Sequence, residues 1–324
     1  MAGIPFVTLD EPRYGEAVQV APLLQRVIAQ NPSKFTYLGT GTYIIGDRDV
    51  AVIDPGPLFD PHRDALVAAL QGRTVTAILV THCHSDHSPL AAWLHEHTGA
   101  PTVAFGPHVL NTDWVEDDTP EVPTEEELAE AKAAADAGDA KMEESLDLDF
   151  EPTIRVQHGD VAASGPGFTV RAIHTPGHTS NHLCFWWEEQ RALFTGDHIM
   201  GWSTTVITPP DGSMRDYFDS LERARALQPA SLWPTHGAPV TDVPPFIDAF
   251  VAHRREREAQ VLGAVRDGVT LVPDMVKRLY VGVNERLYKA AGRSVLAHLM
   301  KLVDDGVVRC DGAQPGVTTP YHPA

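Results

Sequence analysis

The sequence predicts a layered α/β fold followed by a small helical module. Two observations carry the first part. Short β-prone runs alternate with helical stretches over the first ~245 residues, the order expected of stacked sheet and helix layers. Several of those runs end in small-residue turns that carry a His or an Asp. A third observation carries the module: from about residue 246 the apolar period turns helical and stays so to 303. A length of 324 residues fits two domains, placed here at 1–250 and 251–324.

Residues 1–34 read as a lead-in with one β-like run, Ala17–Val20. Tyr37–Gly46 and Asp49–Asp54 form a hairpin around Gly46-Asp47-Arg48. Pro61–Leu70 reads as a helix, with Leu66, Val67 and Leu70 at helical spacing. Thr76–Val80 is a buried strand, and Ser88-Pro89 can open the next helix, to His97. Residues 113–151 interrupt this order with an acidic insertion; Thr124 and Glu127 make a capping box within it. Strand-like runs return at Phe168–Ile173, Ala192–Phe194 and Ser231–Trp233. Helices are expected over Val251–Arg266, Pro273–Tyr280 and Ser294–Val303, then a strand over Gly306–Asp311, an order that fits a winged helix.

The densest chemistry is Thr81-His82-Cys83-His84-Ser85-Asp86-His87 at the end of the strand 76–80. Alternation throws His82 and His84 to one side and Cys83 to the other. Folding alone has no use for three imidazoles and a carboxylate at one strand end. A metal ion does, and these donors suit zinc and similar ions. His178 in Thr175-Pro176-Gly177-His178, Asp197 in Gly196-Asp197-His198 and His236 in Thr235-His236-Gly237 sit at comparable strand ends. Such loops on one sheet edge can converge on one point. His174, His182 and His198 lie beside these positions and are candidates for orienting ligands, with a structural role the ordinary alternative. His62, His108, His253 and His298 read as surface or helix-end residues.

Composition narrows the class. The three cysteines, Cys83, Cys184 and Cys310, are odd in number and widely spaced, which speaks against a disulfide framework and fits a reducing compartment. No basic leader followed by an apolar core opens the chain and no window approaches a membrane span, so a soluble cytoplasmic protein with no membrane partner is expected. The net charge of −19 is concentrated: residues 113–151 hold 16 acidic groups against two lysines, while 251–324 hold 11 basic against eight acidic groups. A field of that sign repels polyanions at long range.

The ordered set His82-x-His84-x-Asp86-His87, His178, Asp197 and His236, with Asp54 in an early strand-end turn, resembles the metallo-β-lactamase-fold hydrolases. The C-terminal region resembles the winged-helix extension of one subgroup, the beta-lactamase-like protein 2 type, whose mitochondrial members cleave single-stranded RNA. The resemblance implies a four-layer αββα sandwich with a small C-terminal winged-helix domain. It implies two divalent ions, with zinc the expected metal. His82, His84 and His178 would hold one ion, Asp86, His87 and His236 the other, and Asp197 would bridge them. A metal-bridging hydroxide would be the nucleophile, with Asp86 as the catalytic residue that orients it. The bridging Asp197 is shared with thioesterases, lactonases and RNA-cleaving members, and is not the pattern of the zinc β-lactamases.

Three functions follow as expectations. The first is a dinuclear phosphodiesterase of endoribonuclease type. The second is a hydrolase of small thioesters, lactones or, weakly, β-lactams. The third is a nucleic-acid-binding module with incidental metals. RNA or a small acyl compound is the expected substrate; nucleic acid and a second copy of the chain are the possible macromolecular partners. Removing 251–324 is expected to leave the metal ligands in place, and the acidic insertion to tune substrate choice.

Overall fold

The computed structural model describes residues 3–9, 11–109, 145–282 and 288–324. Two sheets pack face to face, each covered by helices on its outer side. The first has seven strands in sequence order: β1 (Val18–Ala21), β2 (Leu24–Ile28), β3 (Gly41–Gly46), β4 (Asp49–Ile53), β5 (Thr74–Leu79), β6 (Thr102–Ala104) and β7 (Ile154–Arg155). The second has five, in the order β12 (Ser231–Pro234), β11 (Ala192–Gly196), β10 (Leu183–Trp187), β9 (Phe168–His174) and β8 (Val161–Gly165). The expected αββα sandwich is therefore present.

The inner strands are apolar on both faces because both faces are covered. All six residues of β3 are buried, as are four of the five in β4. In β9 the period-two pattern is legible: Phe168, Val170 and Ala172 face inward, while Thr169 and Arg171 are half-buried. Tyr43, Ile45, Ala51 and Ile53 of the first sheet meet Phe168, Val170, Phe185 and Phe194 of the second to form the central core. Helices α1 (Asp60–Leu70) and α2 (Leu90–Thr98) cover the first sheet. A proline in the first turn starts α1, and Gly99 in a left-handed conformation ends α2. Helices α3 (Met214–Ala226) and α4 (Val243–Arg266) cover the second. Ser213 caps α3 by accepting from the Asp216 amide at 3.2 Å.

The C-terminal core joins the end of α4 to α5 (Val272–Leu279), α6 (Tyr288–Asp304) and the hairpin β13 (Val308–Cys310) with β14 (Tyr321–Pro323). This is the winged-helix arrangement. The helix expected to start at Val251 starts at Val243, because Phe246, Ile247 and Phe250 continue its apolar face onto the second sheet. The boundary drawn at 250/251 therefore falls inside one helix that serves both cores.

Four expectations need correction. The lead-in holds two strands rather than one: the β-like run Ala17–Val20 is β1, and the unexpected β2 pairs antiparallel with it and with β3, so both extend the first sheet. His62 is buried on the inner face of α1, in the helical set with Ala65 and Leu66, and its Nε2 lies 2.9 Å from Thr42 Oγ1. His298 is also buried, so it is no outward contact of α6. His108 is buried as well, 3.8 Å from Asp211. The capping box at Thr124–Glu127 lies outside the described residues. The described end of the acidic insertion is structural: Leu146 forms an antiparallel bridge with His84, the Asp147 amide donates to the Cys83 carbonyl at 2.8 Å, and Phe150 is buried beneath the first sheet. No described helix is long and apolar enough to cross a membrane.

Candidate metal centre

The loops at one end of the two sheets bring all seven predicted residues together. β5 delivers His82, His84, Asp86 and His87. β9 leads to His178, β11 to Asp197 and β12 to His236. All seven are buried. Cys83 points away, as alternation requires, and its Sγ accepts from the Asn181 amide nitrogen at 3.2 Å.

Two groups of donor atoms form. In the first, His84 Nδ1 lies 2.9 Å from His82 Nε2 and 3.1 Å from His178 Nε2. In the second, Asp86 Oδ2 lies 3.1 Å from His236 Nε2 and 3.4 Å from His87 Nε2. Asp197 stands between them. Its Oδ1 is 3.5 Å from His87 Nε2 and 3.4 Å from His236 Nε2, while its Oδ2 is 3.8 Å from His178 Nε2. A tetrahedral ion with Zn–N bonds of about 2.05 Å holds its donors about 3.3 Å apart, so both groups have the spacing an ion needs. His87 Nε2 and Asp197 Oδ1 are buried atoms with no hydrogen-bond partner among the described residues. Orphaned buried donors and acceptors are rare unless a ligand satisfies them.

The opposite ring nitrogens are anchored, which aims the inward ones at the site. His178 Nδ1 donates to the Val206 carbonyl at 2.6 Å, and His236 Nδ1 to the Gly39 carbonyl at 3.2 Å. His87 Nδ1 lies 2.9 Å from Asp54 Oδ2. The same Oδ2 accepts from the hydroxyls of Thr81 and Thr235, each at 2.9 Å, and Asp54 Oδ1 accepts from the Thr81 amide at 2.8 Å. Asp54 thus ties together the residues flanking His82 and His236. Of the neighbouring histidines, His182 accepts from the Asp197 amide at 3.3 Å and contacts Thr175 Oγ1 at 2.9 Å. His198 packs against Tyr217, and His174 stacks on Phe105. Thr40 escapes the sequence reading: its hydroxyl donates to Asp86 Oδ2 at 3.0 Å. Its flanking glycines, Gly39 and Gly41, were the available signal, since both let the backbone approach closely.

The two groups differ electrostatically. Burial, reinforced by repulsion from neighbouring imidazoles, holds His82 and His84 well below the usual histidine range. Burial acts the same way on His87, but Asp86, Asp197 and Asp54 outweigh it and raise its pKa well above that range. Burial would raise the pKa of Asp86; His87 and His236 reverse that and keep the carboxylate charged. His82 and His84 are therefore neutral, whereas the second group pairs protons with carboxylates. A cation entering the second group replaces those protons.

Residues 37–236 match the sequence profile of the Metallo-beta-lactamase superfamily. The chain belongs to that superfamily. Residues 272–315 match the Beta-lactamase associated winged helix domain. The Beta-lactamase-like protein 2 homolog of Caenorhabditis elegans is 28% identical over 293 residues, covering 90% of this chain and 87% of its own length. A protein named Atrochrysone carboxyl ACP thioesterase, from Aspergillus chevalieri, is 28% identical over 308 residues, covering 91% of this chain and 85% of its own. The crystal structure of a beta-lactamase domain protein from Burkholderia ambifaria has a TM-score of 0.74 at 22% identity, covering 97% of this chain and 95% of that one. This superfamily member is a hydrolase, and its His and Asp clusters can hold divalent metal ions.

Saturation with zinc is expected to give two ions per chain by elemental analysis. Asp197→Ala is expected to reduce that number, since Asp197 faces both groups. A single ion per chain, unchanged by the substitution, would rule out the two-ion centre.

Proposed function

We propose that the chain is a two-zinc hydrolase of thioesters. The supporting observation is the chemistry of the groups that touch the ligands. Those named above are carbonyls, hydroxyls, carboxylates and the imidazole of His182, which burial holds well below the usual histidine range; none is a lysine or an arginine. A phosphodiester brings negative charge and calls for cationic side chains beyond the ions, whereas a neutral thioester does not. The likeness to a relative named as an ACP thioesterase, over nine-tenths of the chain, supports the same reading. The C-terminal module adds little attraction for a polyanion: Lys301, on α6, is held by Glu258 at 3.0 Å and Asp305 at 2.8 Å. His298 is buried there, although Lys289 is exposed.

The bound ions would supply an activated water and polarise the substrate carbonyl. The remaining work falls to this chain's own residues. Asp86, fixed by Thr40, accepts a proton from the attacking water. That water adds to the carbonyl carbon, the C–S bond breaks, and the proton passes to the departing sulfur. His82, His84 and His178 are held in place by the strand ends that carry them, and the buried walls limit access of bulk water.

The test is a substrate panel on zinc-loaded protein: an acyl-CoA thioester, a lactone, bis(4-nitrophenyl) phosphate and single-stranded RNA. The thioester is expected to lead the phosphodiesters in kcat/KM by about 100-fold, or about 2.7 kcal/mol of barrier. RNA cleavage exceeding thioester hydrolysis would return the assignment to a phosphodiesterase of endoribonuclease type.

A further inference from the structure

We propose that Arg254, a residue of α4 outside the ligand set, positions His178 for the first ion. The proposal rests on the reading of His178 as a ligand. Arg254 is only 4% exposed and makes no ion pair with a carboxylate among the described residues. A buried cation without a counter-charge is costly to keep, so its contacts matter. Its guanidinium lies over the ring of Tyr217, 5.3 Å from the centroid, and its Nη2 donates to the Thr205 carbonyl.

Thr205 ends a loop that is closed on itself. Its hydroxyl donates to the His198 carbonyl at 2.7 Å. The Tyr217 hydroxyl donates to the same carbonyl at 2.9 Å and lies 3.1 Å from Thr205 Oγ1. The next carbonyl along the chain, that of Val206, receives the Nδ1 proton of His178 at 2.6 Å. The backbone behind His178 is tied to the same place. Gly177 lies so close to α3 that a Cβ there would sit 2.6 Å from the Tyr217 Cα. Arg254 thus clamps the peptide next to the one whose carbonyl sets the His178 ring, and Tyr217 packs against both Arg254 and the backbone at Gly177.

α4 runs on from Arg254 into the C-terminal core, where Val261, Ala264 and Val265 are buried. The winged-helix segment is therefore more than an appendage to the metal centre. Truncation after residue 250 removes Arg254, and is expected to weaken the first ion rather than leave its ligands undisturbed. Loss of an outer contact to a ligating His commonly costs 10–100-fold in metal affinity.

Three full-length variants test this: Arg254→Met, which keeps the stem and deletes the cation, Arg254→Lys, and Tyr217→Phe. Zinc affinity at each of the two sites is measured by competition with a chromophoric chelator. The Nδ1 proton of His178 is followed by 15N-edited NMR in the metal-free protein, and circular dichroism checks the fold. Arg254→Met is expected to weaken one site by about 10–100-fold, leave the other unchanged, and lose the His178 proton signal to exchange. Arg254→Lys should restore part of both readouts, because an ammonium can still donate to the Thr205 carbonyl. Tyr217→Phe should move both readouts the same way by less. A folded Arg254→Met with wild-type affinities and an intact His178 signal overturns the proposal, as does equal weakening of both sites. If Arg254→Met does not fold, wild-type behaviour of the other two variants overturns it. A His178→Ala control that keeps both affinities would instead overturn the ligand reading, and this proposal with it.

Discussion

Replacing Asp86 by alanine is expected to lower kcat on the best substrate by about 10²–10⁴-fold, the usual range for loss of a positioned acid–base group. Asp86 is buried, its Oδ2 is fixed by the Thr40 hydroxyl, and its neighbours His87 and His236 keep it ionised. Alanine removes both an acceptor for the water proton and one donor of the second group. His87 and His236 remain, with Asp197 facing both. Metal content at saturating zinc should therefore fall much less than turnover. Steady-state kinetics and elemental analysis on the same preparation separate the two effects. Near-normal turnover in this variant would remove Asp86 from the reaction.

Stripping the ions with a chelator is expected to produce the largest change in stability. Ligands that bind only the folded state add about 4 kcal/mol per site at a free concentration of about 1,000 times Kd. Two sites add about 8 kcal/mol. With an unfolding entropy of about 2.1 cal/mol/K per residue over 324 residues, that corresponds to a melting temperature about 12 °C lower without metal. The structural reason is that the ligands come from both sheets. Without ions, nothing ties the donors of the two sheets together through a shared cation, and His87 Nε2 and Asp197 Oδ1 stay buried with no hydrogen-bond partner among the described residues. Thermal unfolding followed by circular dichroism, with and without chelator, measures the difference. An unchanged transition would mean that the cluster binds no ion in the folded protein.

The site was far more legible than parts of the scaffold. Four of the predicted ligands fall within six residues, and each of the other three follows a β-prone run, so chemistry and periodicity point to the same places. The strand β8 offers little to read: Val-Ala-Ala-Ser-Gly is small and nearly neutral in propensity. It is a strand because it pairs with β9 and because Phe168 fills the space beside Gly165, where a Cβ would lie 2.6 Å from the ring. β1 showed in the β-like run Ala17–Val20, but β2 did not stand out, since its role comes from pairing between β1 and β3. The buried histidines show the opposite failure. His62 shares a helical face with Ala65 and Leu66, and His298 shares one with Val295 and Leu302. Residue type suggested surface, while spacing already suggested interior. Contacts made through carbonyls, such as Val206 to His178 and Gly39 to His236, leave no trace in side-chain identity at all.

The spread of the ligands along the chain sets an order on protein synthesis. The first four emerge together by residue 87, but none of the three-residue clusters is complete until His178 appears, and the Asp86–His87–His236 cluster waits for residue 236. A growing chain therefore exposes a cluster of imidazoles long before it can build a cage around a cation. For a chain that binds metal through these clusters, selection would wait until both sheets have closed, when the finished geometry, rather than the first ion encountered by a loose loop, would decide what stays.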